Sequence, residues 1–314
     1  MTVAMIRVGL VGAGPWAGLF TAPMLASAPG LSLAAVWARR ASAAEALAHQ
    51  HGAPAVDSFD DLLAACDAVA FTVPADVQAP LAVTAARAGK HLLLEKPVGF
   101  TIADARAVAD AADDAGVATQ LMLTYRFTGQ VRDFLRSTAG APLRYLRTAM
   151  LGGGALGGSP FATPWRQAAG AVLLDLGPHT LDLAEAAAGP IVELRAAEAG
   201  GVLTVATVHD NGASGHVAIS GTTPGAAGRL DAEAVTDAGH VVLADPTPYE
   251  PAEVQRTIAD EFARAVRGEI RQPLDVHRGV RLQRVIAAVA DSIDTGRGVS
   301  VSGPGPSAEA NRPT

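Results

Sequence analysis

Cysteine is nearly absent from this chain: Cys66 is the only one in 314 residues. A single thiol excludes an intrachain disulfide and a cysteine metal cluster. Lysine is almost as rare, since of 24 basic residues only Lys90 and Lys96 are not arginine. Acidic residues are missing from the amino-terminal stretch, where Glu45 is the first. No apolar run approaches the roughly 18 residues that a bilayer span needs, so no membrane partner is expected. There is no basic run either. A net charge of −7 and a pI near 5.6 argue against a nucleic-acid partner. Met1 to Val11 reads as a strand, without the charged opening or cleavage pattern of a secretory leader, so a cytoplasmic protein is expected. What is present is apolar material: 49% hydrophobic residues suffice for two cores.

The two lysines lie together in Gly89-Lys-His-Leu-Leu-Leu-Glu-Lys-Pro97. His91 to Leu94 reads as a short buried strand that Pro97 stops, because proline has no N–H for the ladder. Pro97 also holds Lys96 extended and opens the way to a cis bond before it. Lys96 would then project from the carboxyl end of a parallel strand, where open α/β sheets bind ligands. In a chain that otherwise uses arginine, an amine is kept here, and lysine is a compact donor whose pKa moves on burial. The competing reading is a loop lysine after a core strand.

Ile6 to Val11 leads into Gly12-Ala-Gly-Pro-Trp-Ala17 and then a helix to about Ser27. Glycines here permit a tight turn and close approach of a pyrophosphate, whose charge a helix N-terminus favours. Gly12, Gly14 and Ala17 take the three small-residue places of a dinucleotide turn, with Pro15 and Trp16 between them. Leu31 to Trp37 is the second strand. An NAD enzyme carries an acid near its end, but Arg39 and Arg40 stand there instead. Paired guanidiniums suit the 2′-phosphate of NADP, with NAD as the alternative cofactor and a solvated loop as the bland reading. Further strands at Ala53 to Val56, Ala68 to Val73, His91 to Leu94 and Ala118 to Leu123 alternate with helices. Thr72 and Pro74 stand at another carboxyl edge. This alternation predicts an α/β fold with a doubly wound parallel sheet of six strands in a dinucleotide-binding domain over residues 1–124.

After Tyr125 the pattern changes. One helix and one strand precede the glycine-rich stretch Gly152 to Pro164, read as a lid or a connector. Ala169 to Ala188 reads as mostly helical. Five strand-like runs follow between Ile191 and Ala244, with turns at Gly200-Gly201, Asn211-Gly212 and Pro224-Gly225. Two amphipathic helices, about Pro251 to Arg267 and His277 to Thr295, close the ordered chain. Residues 125–302 thus read as an α+β domain with an open, mostly antiparallel sheet, and 303–314 as a disordered tail. An open sheet face invites a second copy, so a homodimer or homotetramer is expected.

Within this half, Trp165-Arg166 precedes Asp175-Leu-Gly-Pro-His179-Thr-Leu-Asp182. On a continuous helix Asp175, His179 and Asp182 share one face, and a carboxylate near an imidazole suits a general acid/base. Pro178 sits comfortably only in a first turn, which would leave Asp175 in the approach. A structural cap with one satisfied histidine competes with this reading. A metal site would need a second histidine at ligand spacing, so no metal is expected. The other seven histidines show no partner pattern.

Together these residues resemble the glucose–fructose oxidoreductase/inositol dehydrogenase (Gfo/Idh/MocA) family. The resemblance rests on the Gly12–Ala17 turn, the Glu95-Lys96-Pro97 signature, Trp165-Arg166 and the Asp175–Asp182 segment, and runs from about Ile6 to Val301. It implies a Rossmann domain, a second domain with an open sheet, and a nicotinamide cofactor in the cleft between them. It also implies that Lys96 and His179 flank the reacting carbon and that Asp175 partners His179. By the same resemblance Glu95 lies near the nicotinamide ribose with a cis bond before Pro97, Trp165 and Arg166 approach the cofactor, and Tyr125 and Asp182 meet a substrate hydroxyl. Gln78 departs from the family, which often has histidine at that place on the cofactor side.

The function expected is a reversible hydride transfer, NADP favoured, to or from the CH–OH or carbonyl carbon of a sugar, cyclitol or related polyol. A non-catalytic dinucleotide sensor of the same fold is the rival. A reductase of dicarboxylates or amino acids would need an arginine cluster, for which only Arg126 and Arg166 offer themselves.

Overall fold

Strands buried on both faces need continuous apolar runs, and the first sheet is built from such runs. The computed structural model describes residues 5–159, 162, 166–168, 170–243 and 250–301. β1 (Ile6–Val11) leads through a π-helical turn, Ala17–Thr21, into α1 (Ala22–Ser27). The wide turn precedes Pro23, which has no N–H to continue a regular helical ladder. β2 (Leu31–Trp37), α2 (Ala41–Gln50), α3 (Phe59–Ala65) and β3 (Ala68–Phe71) follow. Then come α4 (Ala75–Arg87), β4 (His91–Leu94), α5 (Ile102–Ala115) and β5 (Thr119–Leu121). Local chemistry marks the ends of these helices. Ser58 accepts from the Asp61 N–H to cap α3, and Thr101 with Asp104 forms a capping box on α5, which ends at left-handed Gly116.

The order is β2-β1-β3-β4-β5, with every neighbouring pair parallel. The doubly wound sheet is therefore as expected, but among the described residues it has five strands and not six. Ala53 to Val56 contributes only one parallel bridge, Val36 to Ala55, because Pro54 has no N–H to extend a ladder.

The second part of the chain opens with α6 (Gly129–Thr138), β6 (Leu143–Gly152), α7 (Ala171–Asp175) and α8 (Gly177–Ala188). β7 (Ile191–Ala199), β8 (Val202–His209), β9 (Ser214–Ser220), β10 (Ala227–Thr236) and β11 (Gly239–Val242) are the five expected runs. α9 (Pro251–Val266), α10 (Val276–Thr295) and β12 (Val299–Ser300) complete the described chain. The sheet order is β11-β10-β6-β9-β8-β7-β12, antiparallel except for the parallel pair β6 and β9. Gly200 and Gly201, at φ of 60° and 75°, make the two-residue hairpin between β7 and β8 that needs two positive φ values. Leu146, Met150, Leu203, Val205, Val217 and Ile219 are buried on the face that α8 covers. The other face carries Tyr145, Arg147, Val208, His216, Glu233 and Val235 in register.

The chain divides into two compact units: Met1–Thr124 with Tyr249–Val280, and Tyr125–Pro248 with Arg281–Thr314. A linear reading assigned all of 125–302 to the second domain, but 249–280 groups with the first. The contacts of α9 and the chain after it give the reason. Gln255 donates to the Phe20 carbonyl at 2.8 Å, and Gln120 to that of Ile258 at 3.0 Å. Gln272 donates to the Gln120 side chain at 2.6 Å. Trp165 and the tail 303–314 lie outside the described residues, as do parts of the 152–164 stretch.

Candidate active site

In the first unit, the glycine turn is set by backbone geometry. Gly12 has a φ of 108°, and a Cβ there would stand 2.6 Å from Thr72 Oγ1 and 2.8 Å from the Thr72 carbonyl. Its N–H donates to the Trp37 carbonyl at 2.8 Å, which ties the turn to β2. At Gly14 an added Cβ would meet nothing within 4 Å. The glycine thus borders open space at a helix start, the cradle that a pyrophosphate fits. Arg39 and Arg40 are exposed just past the end of β2, next to this turn in the sheet order. Thr72 donates to the Val11 carbonyl at 3.0 Å, and exposed Pro74 opens α4.

The Glu95-Lys96-Pro97 turn follows β4 directly, and the Lys96–Pro97 bond is cis. Glu95 Oε1 accepts from the indole of Trp16 at 2.7 Å, and that indole stacks on Phe20 with centroids 4.6 Å apart. The glycine turn and the Lys96 turn are therefore tied together at the carboxyl edge of one sheet. Gln78 is wholly buried. Its Nε2 donates to the carbonyls of Glu95, Pro97 and Val98 at 2.8, 3.2 and 3.2 Å. Its Oε1 accepts from the Glu95 N–H at 2.8 Å. Lys90, the other lysine, donates to the Cys66 carbonyl at 2.8 Å, while burial pushes the Cys66 thiol up. A cavity of about 200 Å³ in this unit lies elsewhere, at the amino end of β5 among Asp113, Thr119, Arg271 and Asp275.

In the second unit the helix is broken at Leu176, as Pro178 led one to expect: α7 ends at Asp175, and Pro178 sits in the first turn of α8. Asp175 is consequently presented from the approach, where Arg166 forks onto its carboxylate at 2.7 and 3.3 Å. His179 is 8% exposed and meets the Tyr125 ring edge-on, with centroids 5.2 Å apart. The Tyr125 hydroxyl donates to the Gly228 carbonyl at 3.1 Å. Asp182 is fully buried and accepts from Arg126 at 2.8 Å. Arg126 and Arg166, the arginines that offered themselves for a dicarboxylate or amino-acid substrate, are thus each bonded to a carboxylate of the chain itself. A further buried pair, Arg281 with Glu185 on α8 at 2.6 Å, has no counterpart in the sequence reading. A second acid, Glu185, on the helix that carries Asp182 was its one signal.

A doubly wound sheet whose carboxyl edge carries a glycine turn and a clasped lysine turn has the make-up of a dinucleotide-binding unit. Residues 6–123 match the Gfo/Idh/MocA model, described as an oxidoreductase family with an NAD-binding Rossmann fold. That match takes in β1 to β5 of the first unit and ends there. It is 30% identical over 210 residues to dTDP-3,4-didehydro-2,6-dideoxy-α-D-glucose 3-reductase of Streptomyces violaceoruber, a match covering 62% of this chain and 58% of that one. The chain thus spans under two thirds of that relative's length. It is 26% identical to D-xylose 1-dehydrogenase (NADP(+)) 2 of Haloferax volcanii over 299 residues, 85% of this chain and 91% of the other. The crystal structure of GenD2 from gentamicin A biosynthesis, in complex with NAD, superposes with a TM-score of 0.84 at 21% identity. It covers 96% of this chain and 98% of GenD2, and shows the shared fold.

Proposed function

We propose that this protein is an NADP-preferring oxidoreductase acting reversibly on the CH–OH or carbonyl carbon of a sugar, cyclitol or related polyol. The observation that carries the reading is the Lys96 turn, held at the carboxyl edge of β4 and bonded through Glu95 to the Trp16 of the glycine turn. Two relatives are named for sugar substrates, and one of them for NADP. When bound, the nicotinamide would accept or give the hydride. Gly12, Gly14, Pro15, Trp16 and Ala17 would hold its diphosphate, and Arg39 and Arg40 the 2′-phosphate. Thr72, Pro74, Glu95 and Pro97 would border it and Trp165 and Arg166 would approach it, whereas wholly buried Gln78, expected among them, is bonded to the backbone of the Lys96 turn instead.

In the oxidative direction His179 takes the proton of the substrate hydroxyl at its imidazole. Asp175 sets the orientation of that base, and Arg166 fixes the carboxylate in turn. The Lys96 ammonium stabilises the negative charge left on the substrate oxygen. Tyr125 supplies a polar contact to a remaining hydroxyl, and fully buried Asp182, expected to do the same, acts through Arg126, which it holds. A homodimer or homotetramer formed through the second sheet, in the cytoplasm, completes the proposal. The test is the nicotinamide absorbance change with NADPH and NADH across sugars, polyols and their ketones. Tight dinucleotide binding without turnover of any of them would replace the reading by a sensor.

A further inference from the structure

Gln78 lies on α4's buried face, and both ends of its amide are bonded to one turn outside that helix. The amide nitrogen reaches the carbonyls of Glu95, Pro97 and Val98, and the amide oxygen takes the Glu95 N–H. These groups flank Lys96 on both sides, just past Leu94, where β4 ends. Buried backbone carbonyls and N–H groups need hydrogen-bond partners, and here one side chain supplies four of those bonds. From the opposite direction the turn is stopped by close packing. A Cβ on Gly279 would stand 2.4 Å from Val98 Cγ2 and 3.3 Å from Leu121 Cδ2, and Val98 itself is buried. The Lys96 turn is therefore gripped by hydrogen bonds from α4 and wedged against the start of α10.

We propose that Gln78 is a positioning residue for Lys96: its amide binds the Glu95–Val98 backbone on both sides of the lysine and thereby fixes where the Lys96 amine is delivered. The proposal rests on the reading of Lys96 as the catalytic amine. It assigns Gln78 no contact with substrate or cofactor. Glutamine fits this task because it is a donor and an acceptor on one planar group, whereas a carboxylate would turn acceptors toward three carbonyls. Methionine has the length and flexibility to fill the same space with neither function.

The chain's two lysines make the test direct. Trace acylation with acetic anhydride, read by mass spectrometry, reports the reactivity of Lys96 against Lys90, whose amine is bonded to the Cys66 carbonyl remote from Gln78. In full-length Gln78→Met the Lys96 to Lys90 labelling ratio is expected to change at least about fivefold, since a turn that opens locally exposes its groups without global unfolding. Steady-state kinetics of the same protein should show kcat reduced about 100-fold with KM for the dinucleotide within about threefold, the pattern of a displaced reacting group. Gly279→Ala, which presses on Val98 without touching Gln78, should move the labelling ratio as well, and carries the test if the methionine variant does not fold. An unchanged ratio in the folded variants overturns the proposal. A wild-type protein that turns over no polyol overturns the catalytic reading of Lys96, and the labelling ratio then still decides whether Gln78 fixes its amine.

Discussion

Lys96 and Lys90 show two fates of the same side chain. Lys90 closes a backbone carbonyl at the end of α3, while Lys96 stands on a turn whose backbone is held from behind. Replacing Lys96 by arginine should leave the melting temperature and dinucleotide affinity unchanged, because the turn is fixed through its backbone. Turnover should fall about 10²–10³-fold, since a broad forked guanidinium cannot place its charge where a compact ammonium does. Near-normal kcat in Lys96→Arg would remove the amine from the mechanism. The glycines give a paired prediction. Gly14→Val adds atoms into open space, so it should keep its melting temperature and lose dinucleotide binding by at least about 100-fold, which a calorimetric titration measures. Gly12→Val strikes Thr72 at a positive φ and should lose thermal stability as well. These positions were legible in the sequence because their chemistry is local: a turn needs glycine, and a strand end needs proline. Gln78 was legible only as a residue on the cofactor side. Its partners stand 17 to 20 positions away, and no spacing rule reports which backbone a buried amide will meet.

Elements follow the same division. α5, one of the helices that the alternation called for, runs from Ile102 to Ala115, and its Thr101/Asp104 box and Gly116 stop explain why those ends are sharp. The five runs of the second sheet were marked by their glycine turns. Their order was not, because β6 pairs in parallel with β9 across an interval that contains two helices and two strands. The return of 249–280 to the first unit was hidden for a similar reason, since amphipathic helices announce a buried face and not its partner. α8 shows what such partners contribute. Glu185 accepts from Arg281 and from the Ile191 N–H at 2.9 Å, and both charged groups are nearly fully buried. Arg281→Met leaves the carboxylate uncompensated and is expected to cost about 3–5 kcal/mol of stability, read as a fall in urea midpoint. Adding Glu185→Gln should recover part of that loss. A single variant as stable as wild type would show that the pair is better solvated than its burial indicates.

Across the molecule, titration couples both units to pH. Burial holds the imidazoles of His91, in the first unit, and His209, in the second, below the ordinary 6.5. The unfolded chain then binds more protons in the window below 6.5, so the stability these groups give is present above that value and lost as pH falls through their folded values. Asp275 runs the other way. Burial raises its carboxyl above 3.8, so its contribution is present below 3.8 and lost as pH rises through the raised value. Asp275→Asn keeps an acceptor for the Arg278 N–H and removes the charge, so it should raise the melting temperature at neutral pH, with the gain vanishing near pH 3.8. The assembly prediction belongs to the sheet face opposite α8. Val235, Tyr145, Ser214 and Val208 lie directly across neighbouring strands there, and in the next row Glu233, Arg147 and His216 do the same. Val208 and Val235 are 42% and 38% exposed, and the Arg147–Glu233 pair, whose hydrogen bond holds the Glu233 carboxyl below its usual range, satisfies charge within the face. A face whose charges are internally paired and whose valines are bare suits a second copy of itself better than a charged partner. Sedimentation at micromolar concentration should therefore give a dimer or a tetramer. Val208→Arg with Val235→Arg should give a monomer that binds dinucleotide as before, because burying four guanidiniums across a two-fold axis is strongly unfavourable. A wild-type monomer, or a double variant that stays assembled, would place the interface elsewhere.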